Sequence, residues 1–185
     1  MFLMFKADPV HAFHDQIVAA HGATMIRQAT NHDFSAILAL NEELVHFLSP
    51  MDEARLRHLD AQAAYHRVVE IEGTVVAFLL GLREGADYDS PNYIWFASAL
   101  DRFLYIDRVV VSPAYQGKGY GPQLYDDLFA VARKTGVKNV TSEFDVEPPN
   151  PASLKLHQRY GFKEIGTQTV SNGMKRVSLQ MAEAF

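Results

Sequence analysis

The sequence predicts an α/β domain in which a mixed sheet carries helices on its faces. Three observations predict it. The second half alternates strand-like and helix-like stretches, hairpin signals fall toward both ends, and 48% of the 185 residues are hydrophobic with no Gly-, Ser- and Pro-rich linker between them. A chain of this length can bury one sizeable core, so a single domain over residues 1–185 is expected.

Taken in order, residues 11–20 read as a short helix stopped near Gly22, and residues 24–29 as a first strand. Asn31 or Asp33 can cap the next helix, where Phe34, Ile37, Leu38, Leu44, Val45 and Leu48 recur at near-helical spacing until Ser49-Pro50 breaks it. Residues 52–64 read as a second helix, charged on one side. Strand-like runs at 67–71 and 74–80 flank Glu72-Gly73, a tight hairpin signal. Residues 83–101 read as a long irregular segment of the kind that carries function. A strong strand at 103–111 leads through a glycine-rich turn into a helix from about 122 to 135, closed by Gly136. A strand at 139–146, a Pro-Pro-Asn-Pro turn, a helix at 151–160 stopped by Gly161, and strands near 162–169 and 176–181 complete the chain.

Composition removes several function classes. The formal net charge of −5 argues against a nucleic-acid binder, which ordinarily presents a basic face. With no cysteine, disulfides, zinc–thiolate sites and thiol nucleophiles are excluded. No metal is expected. The apolar N-terminus is interrupted by Lys6 and Asp8 and resembles neither a leader peptide nor a membrane span. A cytoplasmic protein with no membrane partner is the expectation.

Two segments carry chemistry. In Gln116-Gly117-Lys118-Gly119-Tyr120-Gly121, alternate glycines let the backbone curl until successive N–H groups converge on one anion. The following helix adds its own unsatisfied N–H groups. A diphosphate is the natural guest, with Gln116 and Lys118 able to add side-chain contacts. The spacing fits neither the nucleotide-binding Gly-x-x-x-x-Gly-Lys-Ser/Thr loop nor the Gly-x-Gly-x-x-Gly fingerprint. A ligand-free tight turn is the alternative. In the second segment, 150–162, Asn150 and Pro151 open a helix on which Asn150, Ser153, His157 and Tyr160 form one polar stripe beside Leu154 and Leu156. That stripe could line a cleft, or the segment could be simply a well-capped helix.

Here a resemblance becomes specific. The strand ending Ile106-Asp107-Arg108-Val109-Val110-Val111, then Gln116-x-x-Gly119-x-Gly121, is similar to the acyl-CoA loop of the GNAT acyltransferases. The later Asn150…Ser153…Leu156…Gly161-Phe162 resembles that family's second signature. The resemblance implies a mostly antiparallel sheet with a splay between two parallel strands. It also implies an N-terminal helical extension at 1–23, a substrate-side half at 24–102 and an acyl-CoA half at 103–170.

The function implied is transfer of an acetyl group from acetyl-CoA to a primary amine of a small molecule, amino acid or peptide N-terminus, by direct attack. A non-catalytic acyl-CoA sensor on the same fold is the alternative, and a nucleotide-phosphate enzyme a more distant one. Main-chain groups of Val109 and Val111 would pair with the pantetheine arm. Gln116, Gly117, Lys118, Gly119, Tyr120 and Gly121 would hold the diphosphate, and Asn150 and Ser153 would face the pantetheine. His157 stands where the family often has a tyrosine, and is expected to act as general acid to the leaving thiolate or as hydrogen-bond donor on the thiol side, because an imidazole titrates at about 6.5. Tyr160 is its stand-in. Glu143 is the first choice of general base and Asp107, sharing a face with Tyr105 and Val109, the second. Either carboxylate could instead pair with Arg108 or a lysine. Tyr93, Trp95, Phe96 and Phe47, with Tyr65, Asp87 and Asp89, are candidates for the acceptor side, or else ordinary core. Resemblance also allows a homodimer.

Overall fold

The computed structural model describes residues 24–46 and 48–185, so the helix expected at 11–20 and Phe47 lie outside the described residues. Seven strands form one sheet in the order β1-β2-β3-β4-β5-β7-β6. These are β1 (Thr24–Gln28), β2 (Ala63–Ile71), β3 (Thr74–Arg83), β4 (Leu104–Val111), β5 (Asn139–Glu147), β6 (Lys163–Val170) and β7 (Lys175–Glu183). Every neighbouring pair is antiparallel except β4 and β5, which run parallel.

Helices cover both faces. α1 (Phe34–Glu43), α2 (Glu53–Gln62) and α3 (Pro91–Ala99) bury Phe34, Ile37, Leu56, Leu59 and Phe96 against Phe78, Leu80, Leu82 and Tyr105. α4 (Tyr120–Lys134) buries Leu124, Tyr125, Leu128 and Phe129 on the other face, against Leu79, Leu104, Ile106 and Val140, with α5 (Pro151–Arg159) beside it. Each such side chain withdrawn from water contributes about 1.5–3 kcal/mol before entropy is charged against it.

Local signals explain the element ends. Glu72 and Gly73 both take positive φ, 50° and 79°, as the two-residue hairpin between β2 and β3 requires. The Asp33 carboxylate accepts from the Thr30 amide at 2.7 Å and from Arg27, fixing the entry to α1. Asp52 caps α2 by accepting from Arg55 N at 2.8 Å. One expectation is corrected. Residues 83–101 are not wholly irregular, because Ser90 caps α3 and Pro91 occupies its first turn, and that Ser-Pro pair was a readable start signal. No described helix is long and apolar enough to cross a membrane.

Candidate active site

The strand pair at the centre of the sheet is incomplete. β4 and β5 pair only at Leu104–Val140 and Tyr105–Thr141. One residue further on, the Ser142 hydroxyl still reaches Ile106 O at 3.4 Å, and beyond it the strands part. β5 remains paired along its length with β7, so the edge of β4 that faces β5 lacks a strand partner beyond Tyr105.

A bulge in β4 coincides with the parting. Against β3, Leu80 opposes Arg108 while the next residue, Gly81, opposes Ile106, so Asp107 is the extra residue. A side chain on Gly81 would meet Tyr105 O at 3.2 Å, so glycine permits the close approach. The bulge also inverts the alternation of β4. Tyr105 lies in the α1–α3 core, whereas Val109 and Val111 pack against the α4 core. The expectation that Asp107 shares a face with both Tyr105 and Val109 is therefore corrected, since those two residues point to opposite faces.

At the end of β4 the chain passes through a short 3₁₀ turn (Pro113–Tyr115) into the glycine loop. Gly117 and Gly119 have φ of 76° and 89°, a left-handed conformation that a Cβ would strain. Among the described residues, no acceptor bonds the amides of 117–121. Five N–H donors at the start of α4 are thus left without a backbone acceptor, as a bound anion would require. The Gln116 amide braces the loop by donating to Val111 O at 3.1 Å, so both are already engaged. Lys118 Nζ sits 4.6 Å above the Tyr115 ring at the loop edge, and Tyr120 opens α4. Asn150 caps α5 by accepting from Ser153 N at 3.1 Å, and Leu156 of α5 approaches Gly121.

Glu143 stands on β5 just past the parting. Tyr105 OH and Asn92 Nδ2 each donate to its Oε1 at 2.9 Å, while Oε2 is shielded from water and has no partner. Burial pushes its pKa up to about 8, reinforced by Asp107 and Asp145 and opposed by the two hydrogen bonds. A carboxylate so placed is poised to take a proton near neutral pH.

Asp107 is committed elsewhere. It accepts from Tyr88 OH and from Arg108 Nε, the latter at 2.6 Å with both side chains almost wholly buried. Arg108 in turn donates to Asn41 Oδ1 at 2.7 Å, tying β4 to α1. Of the two readings open for Asp107, the structure favours the ion pair over the base.

His157 is buried, with its ring 4.7 Å from Phe162 and 5.1 Å from Phe144 by centroid. Its Nδ1 lies 2.8 Å from Ser153 O, which can only accept, so Nδ1 carries the proton. Burial lowers its pKa and keeps the ring neutral, leaving Nε2 with a lone pair and no proton to give. The expected role of thiolate protonation is thereby corrected. Tyr160 does not replace it, because its hydroxyl bonds Pro122 O and Asp126 Oδ1, both at 2.7 Å on α4.

The candidate acceptor aromatics are mostly core. Phe96 is fully buried, Tyr93 donates to Arg83 O at 2.7 Å, and Tyr65 donates to Asp127 Oδ2 at 2.7 Å. Trp95 lies against Gly166 of β6. An open cleft of about 580 Å³ is lined instead by Glu42, Pro50, Met51, Asp52, Arg55 and Asp89. Asp89 is thus at its rim, while Asp87 is exposed and its carbonyl receives Gln62 Nε2. Beneath the cleft, Arg55 covers the Tyr88 ring, which lies 6.4 Å from Tyr105 and so leads toward Glu143.

Residues 23–162 match the family described as "Acetyltransferase (GNAT) family". The chain belongs to that family. A phosphinothricin N-acetyltransferase of Streptomyces coelicolor is 36% identical over 59 residues, 32% of this acetyltransferase-family chain, which spans about a third (33%) of that relative's length. Among solved structures, Ard1 of Thermoplasma volcanium superposes with a TM-score of 0.72 at 16% identity, covering 88% of this chain and 99% of the other. The Salmonella typhimurium protein yncA, solved with its cofactor acetyl-CoA, gives 0.67 at 23% identity over 89% and 95%. The ribosomal-protein-S18-alanine N-acetyltransferase of Escherichia coli gives 0.67 at 16% over 88% and 94%. At these identities the structural likeness establishes the GNAT fold: a mostly antiparallel sheet with one parallel pair.

Asn92, Tyr105, Tyr88 and Asn41 were missed as site residues in this GNAT chain. Only Asn92 had a usable signal, a polar residue between Pro91 and Tyr93 in an otherwise apolar helix. The others acquire their roles from partners 19 to 67 residues away.

Proposed function

We propose that this GNAT-family chain transfers the acetyl group of acetyl-CoA to a primary amine of a small molecule, amino acid or peptide N-terminus by direct attack. The observation that carries the reading is the pairing of five unbonded loop amides, 117–121, with a half-satisfied buried carboxylate, Glu143, across parted strands. An acyl-CoA sensor would need the first but has no use for the second.

Acetyl-CoA supplies the acyl group already activated as a thioester. Amides of Gly117, Lys118, Gly119, Tyr120 and Gly121 hold the diphosphate. The free edge of β4 around Val109 takes the pantetheine arm as an added strand, with Asn150 and Ser153 on the α5 side. Main-chain N–H groups of that edge polarise the carbonyl. Glu143 accepts the proton released as the amine nitrogen bonds to the carbonyl carbon, directly or through a water. The cleft beside Arg55 and Asp89 admits the acceptor. Names among the relatives include both phosphinothricin and a ribosomal-protein alanine, which supports an amine acceptor and leaves its size open. One domain serves both halves, residues 24–102 facing the acceptor and 103–170 the cosubstrate.

Thiol release from acetyl-CoA across a panel of amines, amino acids and peptides tests the reading. Turnover with at least one acceptor class is expected. Saturable acetyl-CoA binding by calorimetry with silence across the panel would point to the sensor, and no binding heat would remove both.

A further inference from the structure

Five buried side-chain polar atoms among the described residues lack a hydrogen-bond partner: His66 Nε2, Tyr125 OH, Thr141 Oγ1, Glu143 Oε2 and His157 Nε2. All but the first belong to β5 or to the two helices packed beside it, α4 and α5. Buried polar groups are nearly always satisfied, and each exception costs about 1–3 kcal/mol. The four fall on both faces of the sheet: Glu143 on the α3 side, Tyr125 and His157 on the α4 side.

Their chemistry is complementary. An ionised Glu143 Oε2 and the His157 Nε2 lone pair can only accept. Tyr125 OH and Thr141 Oγ1 can donate. Thr141 sits within the paired part of the sheet, opposite Tyr105 and Met181. Tyr125 is different. It lies on α4, about one helical turn beyond Gly121 of the glycine loop, and has no exposed surface. Its ring is held edge-on to His157 (6.1 Å, 85°) and tilted against Tyr160 at 5.0 Å, so the hydroxyl cannot swing to solvent. The neighbouring Ser142 hydroxyl acts on it, and Ser142 is the residue that spans from β5 to Ile106 O where the strands separate. Glu143, next along β5, projects to the opposite face and bonds α3. A proton acceptor for the amine therefore lies on one side of the opening and an unused hydroxyl on the other.

We propose that the Tyr125 hydroxyl is the hydrogen-bond donor to the sulfur of the bound CoA thioester, a role that rests on the acetyltransfer reading above. As the nitrogen–carbon bond forms, the amine proton passes to Glu143. As the carbon–sulfur bond breaks, its electron pair stays on sulfur, and Tyr125 stabilises that thiolate. Tyr125 keeps its own proton, because a phenol (about 10) is a weaker acid than a thiol (about 8.5). His157 positions the ring rather than supplying a proton.

The chain contains no cysteine, so the sulfur of bound CoA is the only thiol in the complex. Its ionisation can be followed by ultraviolet thiolate absorbance, with the desulfo-CoA complex as blank, in wild type and Tyr125→Phe. The expected result is a bound thiol that titrates about one pH unit higher in the variant, a charge-assisted hydrogen bond having been lost. With an accepted amine, kcat falls about tenfold while the affinity for CoA and the Tm hold, since the phenyl ring keeps its packing against His157 and Tyr160 and the deleted hydroxyl donates to no protein group. Identical thiol titrations in the two proteins would overturn the proposal. Absence of CoA binding in the wild type would overturn the acetyltransfer reading itself, and this inference with it.

Discussion

Glu143 is held by two opposed influences. Tyr105 and Asn92 favour its charged form through hydrogen bonds to Oε1, yet burial outweighs them and lifts the pKa to about 8. A base of that strength is mostly protonated at pH 7, so kcat is expected to rise with pH and level off above about 8. Glu143→Gln should lower kcat by roughly 10²–10⁴-fold and flatten the profile, measured by thiol release. Stability carries the opposite sign. Because the folded pKa lies above the unfolded one, the native state binds the extra proton between about 4.5 and 8, and stability falls as pH rises through that window. Glu143→Gln removes that loss. Its Tm should therefore exceed wild type at pH above 8 by an amount worth one to a few kcal/mol, and match it near pH 4. A variant that lost activity and stability together at high pH would mark Glu143 as structural.

At the level of elements, the glycine loop and the parted strands depend on backbone geometry more than on side chains. Gly119 has φ of 89° and nothing closer than Gln123 Nε2 at 3.9 Å to a notional Cβ, so strain, not collision, opposes substitution. Gly119→Ala should cost about 1–2 kcal/mol in the loop and weaken acetyl-CoA by roughly tenfold in calorimetry, leaving the fold intact. Unchanged affinity would mean that the loop amides do not hold the diphosphate. The α3 helix illustrates the reverse case. Its apolar positions hid its period among Tyr93, Trp95 and Phe96, and only the Ser90 cap and Pro91 announced it.

Across the whole molecule, the Asp107–Arg108 pair joins the bulge in β4 to Tyr88 and to Asn41 of α1. Removing one member leaves a buried charge without compensation. Asp107→Ala should therefore lower stability by about 3–5 kcal/mol in urea unfolding, with activity declining in step with the folded fraction. Were Asp107 the base instead, activity would vanish while the unfolding midpoint held. The ion pair sits at the bulge itself, so the contact that anchors α1 lies next to the point where β4 leaves β5.

The seven strands, the hairpin at Glu72-Gly73, the glycine-rich run at 116–121 and the cap at Asn150 were all legible from the sequence, because each is set by neighbours a few residues apart. Glu143 could be nominated from sequence, but not its orphaned oxygen or its raised pKa, which arise from Asn92, Tyr105 and burial. The bulge reversed the facing of Val109, and the carbonyl of Ser153 fixed the tautomer that denies His157 a proton to give. Nothing in the sequence singles out Tyr125 on its amphipathic helix; only the fold leaves its hydroxyl buried and unmatched. Chain-local rules determine which elements form and which loop can bind an anion. Which carboxylate is free to act, and which is spent in a salt bridge, depends on residues that only the folded sheet brings within bonding distance.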